Sequence, residues 1–242
     1  MKLSQYPPLI ADLHTHTLAS GHAYGTVTEN ARAAAEAGLS ILGYAEHGPR
    51  LPGACDPIYF MNLRVIPREL FGVRLLFGSE VNILGDGTVD LEPLFLGKLD
   101  FAIAGIHALC YEDAGRTKNT ENVISCMKLE KVKMISHPDD NHTPLDYPAL
   151  VQGAKEYGVA LEVNNSSFGK PDQRLGCVEN YRTMLSLCRA YQVPVVLNSD
   201  AHFPTAVGRL DAAAALAAEE DFPPELILNN DREKVLRFLG AD

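Results

Sequence analysis

Two histidines one residue apart, His14 and His16 in "DLHTHT", close an apolar run and are the first residues in the chain equipped for chemistry. On an extended strand, residues two apart share a face, so both imidazoles can bite one ion. In a regular strand Asp12 shares that face one step deeper. It is expected to orient a ligating histidine through a hydrogen bond. "NSDAH" repeats the spacing far along the chain with Asp200 and His202. Imidazole plus carboxylate suits zinc, and also manganese or iron. Two such pairs need further donors, and the elements that carry those donors decide whether they meet.

Short β-branched or Leu-rich runs alternate with helical patterns. Strands are predicted over 9–13, 40–47, 73–84, 99–107, 133–137, 159–165 and 193–202. Helices are predicted over 28–38, 61–70 (interrupted by Pro67), 120–130, 145–158 and 177–192. Two more follow, the last opening on a capping box from Asn230 to Glu233 and closing at Gly240. Seven strand–helix alternations predict a parallel sheet in a single α/β domain spanning 1–242.

The polar residues choose between an open sheet and a barrel. In order, the predicted strands end in or carry His14 and His16, His47, Glu80, His107, His137, Asn164 and Asn165 with Glu162 just before, and Asp200 with His202. Of eight histidines, six stand at these ends, His22 lies in the loop after the first strand, and His142 is left over. A single strand-end histidine is ordinarily a hydrogen-bonded structural residue. Six at consecutive ends argue for one polynuclear site, because a closed barrel points every strand end at one centre. An open sheet would spread them along a crest.

Composition narrows the function. The 242 residues carry a formal charge of −10, a poor match for long nucleic acid, whose phosphates must be neutralised. The five cysteines contain no C-x-x-C pair and read as reduced thiols in a cytoplasmic protein. The N-terminus lacks the apolar core of a signal peptide, and no apolar run approaches the ~18 residues of a membrane span.

The ordered set "DLHTHT", "SGHAYGT", "AEHGP", "GSEVN", "GIH", "ISHP", "EVNNSS" and "NSDAH" resembles the PHP (polymerase and histidinol phosphatase) superfamily, and more closely its stand-alone YcdX-like phosphatases. The likeness runs from about residue 10 to 210, with "FMNLRVIPR" and "DFPPELILN" also similar to that branch. It implies a distorted (β/α)7 TIM-like barrel holding three divalent metals, zinc first, with manganese or iron as substitutes. Carried over by position, His14, His16, Glu80 and Asp200 would hold the first metal. Glu80 would bridge to a second with His107 and His137, and His22, His47 and His202 would hold the third. One departure is visible: the usual "TDHG" is "AEHG", placing Glu46 where an Asp is common.

The implied chemistry is phosphoester hydrolysis on a small phosphorylated molecule, most simply a monoester. Water acidified by the metals, to a pKa of about 7 with zinc, would attack phosphorus, with Glu80 and Asp200 as the central carboxylates. Cations must hold the phosphate. Arg64 is favoured because the resemblance covers it; Arg50, Lys170 and Arg174 are the other choices. Tyr24, Asn165 and Ser166 are candidates to face the pocket. Competing readings are a phosphodiesterase or exonuclease acting on nucleotides or short ends, an amidohydrolase, and a metal-binding module without catalysis. A homo-oligomer is compatible with the sequence.

Overall fold

The computed structural model describes residues 7–241. Seven parallel strands form one sheet: β1 (Ala11–Thr15), β2 (Ile41–His47), β4 (Val73–Asn82), β5 (Phe101–Gly105), β6 (Val132–Ile135), β7 (Ala160–Asn164) and β8 (Val195–Asn198), paired in that order. A two-residue strand β3 (Glu69–Leu70) runs antiparallel to β4. The helices are α1 (Val27–Glu36), α2 (Ile58–Met61), α3 (Pro93–Leu96), α4 (Arg116–Met127), α5 (Tyr147–Tyr157), α6 (Cys177–Tyr191), α7 (Asp211–Glu219) and α8 (Arg232–Leu239).

The alternation of side chains along the strands builds two cores. Leu42, Tyr44, Phe77, Ala102, Leu161 and Leu197 face outward beneath the helices. Leu13, Leu76, Phe101, Ile103, Met134 and Val196 face inward, and Val235 and Leu239 of α8 join them to close the N-terminal mouth. Phe101 fills the barrel axis, and glycines opposite make room for it. A Cβ on Gly43 would stand 3.0 Å from its ring, and one on Gly78 2.9 Å.

The barrel is nearly closed. Among the described residues no ladder joins β1 to β8: a bridge pairs Thr15 with Ala201 just past β8, and Leu13 N donates to Asn198 Oδ1 (2.9 Å). Asn229 spans the seam below them. Its side-chain amide donates to Ala11 O (2.8 Å) and Leu197 O (2.7 Å), and its Oδ1 accepts from Leu197 N (2.7 Å). Its backbone oxygen accepts from Ile10 N (2.7 Å). The Asn229 and Asn198 side chains thus stand in for the missing rungs of the ladder.

Three details differ from the sequence expectation. The predicted helix over 61–70 is instead α2, a 3-10 turn at Leu63–Val65 and the short β3; Pro67 breaks the run, as its missing N–H requires. The last helix is capped by Asp231, whose side chain accepts from Lys234 N, and not by a box from Asn230. Asn230 instead donates to Pro224 O. Most consequentially, β1 is bulged: Asp12 pairs with Leu42 but Thr15 with Tyr44, so three steps on β1 match two on β2. The bulge brings His14 inward beside the inward Leu13 and leaves Asp12 on the other face.

Candidate metal centre

All nine candidate donors converge at the C-terminal mouth, around Glu80. The register sets His47 beside Glu80 on neighbouring strands. The two carboxylate oxygens of Glu80 address different histidines. Oε1 lies 2.8 Å from His137 Nε2 and 3.3 Å from His107 Nε2. Oε2 lies 2.9 Å from His47 Nδ1, 3.2 Å from His14 Nε2 and 3.6 Å from His16 Nε2. Asp200 Oδ1 lies 3.2 Å from His16 Nε2 and 3.7 Å from His14 Nε2. At the open side His22 Nε2 and His202 Nε2 stand 3.1 Å apart. His137 and Asp200 both adopt left-handed backbone, φ 30° and 53°, a strained conformation of the kind found where a side chain must be aimed.

The outer nitrogen of nearly every ring is anchored. His14 Nδ1 donates to Glu162 Oε1 (2.8 Å), His16 Nδ1 meets Ser20 Oγ (3.0 Å), and His107 Nδ1 meets Asn82 Oδ1 (2.7 Å). His22 Nδ1 is 3.1 Å from Ser20 O and His202 Nδ1 is 3.0 Å from Asp200 O. Such contacts fix the ring so that the opposite Nε2 lone pair faces inward. Glu162 is itself held by Asn198, Asn164 and the His137 N–H. Asn164 also donates to Asp200 Oδ2, leaving Oδ1 for the centre.

The donors fit divalent cations on an observation independent of any resemblance. His14 Nε2, His16 Nε2, both ring nitrogens of His47 and Glu80 Oε2 are buried without a hydrogen-bond partner. Leaving such an atom unpaired costs about 1–3 kcal/mol, more for a charged group. Three overlapping triads have donor atoms within 4.8 Å of one another: His14, His16 and Glu80; His47, Glu80 and His107; His16, His47 and His202. The electrostatics agree. Burial opposes charge on His14, yet Glu162, Glu80 and Asp200 hold its pKa well above the ordinary histidine value. Burial would likewise raise Glu80 and Asp200, but the histidines around them hold both well below the usual carboxylate range. The site therefore asks for positive charge.

Burial holds His16, His22, His107 and His202 below the ordinary histidine value, so these imidazoles stay neutral on the acid side of the usual titration. Protons compete with metal for the lone pairs. Bound metal, measured by elemental analysis after dialysis at stepwise lower pH, is therefore expected to fall as pH falls, with His14, which must give up its proton to bind, the donor most open to that competition. Metal content unchanged down to about pH 4 would contradict the imidazole donor set.

Several expectations are corrected. Asp12 touches no imidazole: it accepts from Ser199 N (3.1 Å), Ser199 Oγ (2.5 Å) and Gly208 N (2.9 Å), and braces the loop after β8. Glu162, which the sequence left without a role, orients His14 instead. Asn165 Oδ1 accepts from Ala212 N and Ala213 N at the start of α7, so it is occupied in the fold. Ser166 Oγ lies 3.4 Å from Asp200 Oδ2. Arg64 is exposed and lines a separate cavity of about 530 Å³ with Arg68, Phe77 and Lys98, on the outer side of the sheet. Arg50 and Lys170 are exposed as well. Arg174 does reach the centre, with Nη1 3.0 Å from His137 Nδ1. Glu46 accepts from Thr17 N, Thr17 Oγ1 and Ser20 Oγ, and so acts on His16 through Ser20.

A nearly closed parallel barrel with one histidine–carboxylate centre at its C-terminal mouth defines a metal-dependent hydrolase. Relatives narrow the class. The chain is 42% identical over 232 residues to a "Probable phosphatase" of Syntrophotalea carbinolica, covering 96% of each chain. It is 39% identical over 233 residues to another of Clostridium novyi, covering 96% of this chain and 95% of the relative. It belongs to this phosphatase family. No protein-family profile matches the sequence. In fold alone it is similar to a histidinol phosphate phosphatase of Lactococcus lactis, solved with zinc, L-histidinol and phosphate (TM-score 0.61, 16% identity, 89% of this chain and 95% of that one). A chain of an archaeal ribonuclease P bound to mature tRNA shares the fold equally (TM-score 0.61, 16% identity, 95% and 90%). Among the described residues no helix is long and apolar enough to cross a membrane.

Proposed function

We propose that the protein is a PHP-type phosphatase of the YcdX-like branch that hydrolyses a small phosphomonoester at a centre of three divalent metals, zinc first. The observation that carries this is Glu80, whose two oxygens face two sets of imidazoles with orphaned lone pairs between them. His14, His16, Glu80 and Asp200 would hold one ion, Glu80, His107 and His137 a second, and His22, His47 and His202 a third. His47 also lies within reach of Glu80, so it would stand between two of these groups. When bound, the metals supply Lewis acidity that acidifies water and neutralises phosphate charge.

The chain's own residues do the rest. Glu162, Ser20 and Asn82 hold three rings in one tautomer, so the lone pairs need no reorganisation during reaction. Arg174 is the phosphate-holding side chain that the geometry favours over Arg64. Burial disfavours its charge, but Asp139 beside it, with more distant Asp200 and Glu80, keeps the guanidinium cationic. Only its Nη1 is engaged among the described residues, by His137 and Asp139. An imidazole that gives its Nε2 lone pair to a cation carries its proton on Nδ1. The Arg174 contact then opposes donor to donor and releases the guanidinium toward an oxyanion, while Asp139 keeps it in place.

Arg174→Gln is expected to raise KM for a phosphomonoester roughly 10- to 100-fold, the worth of a charge-assisted hydrogen bond. Metal content should not change. An unaltered KM would remove Arg174 from phosphate binding. A phosphate-release screen of metal-loaded protein, run beside a diester substrate, tests the reaction class. Faster diester cleavage would replace the monoester reading with a phosphodiesterase, and cleavage of amides or lactones alone would favour the amidohydrolase reading.

A further inference from the structure

The loops around the centre carry apolar side chains that the fold leaves in water. Scattered exposed hydrophobics are ordinary on a protein surface. Here they are not scattered. Of ten large hydrophobics exposed among the described residues, five stand within two positions of a candidate metal donor or of Arg174. Leu18 follows His16, Tyr24 follows His22, Leu109 follows His107, Leu175 follows Arg174 and Phe203 follows His202. Tyr24 is 69% exposed and Leu109 75%; the other three are more than half exposed.

The backbone ties these residues to the mouth. Leu18 N donates to Gly25 O and Tyr24 N to His202 O, so the loops after β1 and β8 interlock. Leu18, Tyr24 and Phe203 thus lie in one loop cluster beside His22 and His202. Leu109 is held across the barrel, where Cys110 N returns to His107 O. Leu175 N is anchored by Asp140 Oδ1 and its carbonyl by Asn141 N. The apolar side chains therefore come from loops on opposite walls of the entrance, beside a polar, cation-demanding floor. A ligand matching both has an anionic head and an apolar body.

We infer that the substrate's leaving group is apolar, of hydrocarbon or aromatic character, and rests against Leu18, Tyr24, Phe203, Leu109 and Leu175 while the phosphate meets the metal centre. The inference rests on the phosphatase reading above and adds the substrate class. In the reaction, a water oxygen bonds to phosphorus and the bond from phosphorus to the ester oxygen breaks. The electron pair leaves with that oxygen, which takes a proton. The products are an apolar alcohol and inorganic phosphate. Hydrophilic polyol and sugar phosphates would leave the rim uncovered and gain nothing from it.

The test is the series ethyl, butyl and hexyl phosphate with metal-loaded protein, and glycerol phosphate for comparison. The alkyl alcohols have closely similar acidity, so their chemistry is matched and chain length reports the rim. kcat/KM is expected to rise roughly two- to fourfold per added methylene, the range set by partial to full burial of a CH2. Glycerol phosphate should fall with the shortest esters. Tyr24→Ser combined with Phe203→Ser should flatten the slope while metal content and melting temperature stay near wild type. A flat or falling series with phosphate still released would overturn the rim and leave the phosphatase reading intact. A slope unchanged in the double variant would also overturn it. No release from any ester would sink both readings. If the wild type elutes as an oligomer that Phe203→Ser dissociates, the apolar loops are a contact between copies and the inference fails.

Discussion

Glu80→Gln is expected to lower phosphate release by on the order of 10³-fold, because the charge stabilisation supplied by a metal pair is worth several kcal/mol. The substitution is nearly isosteric and keeps one oxygen, so the barrel should remain. What it removes is the second anionic oxygen. In the structure Oε1 serves His137 and His107, and Oε2 serves His47, His14 and His16. A carboxamide can offer only a neutral oxygen to one set and an N–H₂ donor to the other. On the polynuclear reading proposed above, two ions could then no longer share it. Turnover, metal stoichiometry and a melting curve together check this. Full activity with wild-type metal content would remove Glu80 from the mechanism.

The second large effect falls on stability, at Asn229. Truncation to Ala strands Leu197 N, Leu197 O and Ala11 O inside the seam between β1 and β8. Each buried orphan costs about 1–3 kcal/mol, so Asn229→Ala is expected to destabilise by about 3–9 kcal/mol. For a chain of this size that is a drop in melting temperature of at least about 6 °C. Asn229→Asp can still accept from Leu197 N but donates to neither carbonyl, so it should lose at least as many kcal/mol as the two stranded acceptors imply. A melting point within about 2 °C of wild type for the Ala variant would mean that the seam closes by other bonds.

The barrel and the inward ring of donors were legible because both are periodic. Strand–helix alternation gives the sheet, and the polar residue ending each run gives the mouth. What was not legible depends on a break in period or on contacts between distant strands. Alternation alone set Asp12 on the face of His14 and His16, whereas the bulge in β1 turns it away. Glu162, Asn82 and Ser20 meet their histidines across 148, 25 and 4 residues of sequence, and no spacing rule links such pairs. Nothing in the sequence marks Asn229, whose role depends on the seam between β1 and β8. A shared motif points to Arg64, but its segment folds on the outside of the sheet; Arg174, one of three alternatives, is the cation that reaches a donor histidine. The run before Pro67 was helical in pattern yet too short to hold a helix once the proline removed a hydrogen bond.

The distribution of function over the fold follows from the same facts. The N-terminal half of the barrel is packed by Phe101, Leu76 and α8, while the nine candidate metal donors gather at the other end. The C-terminal half replaces that packing with charge, and five of its buried donor atoms, on His14, His16, His47 and Glu80, lack hydrogen-bond partners. Stability lies at one end and chemistry at the other, as parallel barrels permit because loops at the mouth vary without disturbing the strands.

Metal ions that make the site hydrolytic would satisfy the orphaned lone pairs around Glu80. Elemental analysis of protein purified without chelator, followed by stripping, reloading with zinc or manganese and assay of phosphate release, tests this most directly. Close to three divalent ions per chain are expected, with activity lost on stripping and regained on reloading in proportion to metal bound. Well under one ion per chain, with no binding on reloading, would contradict it.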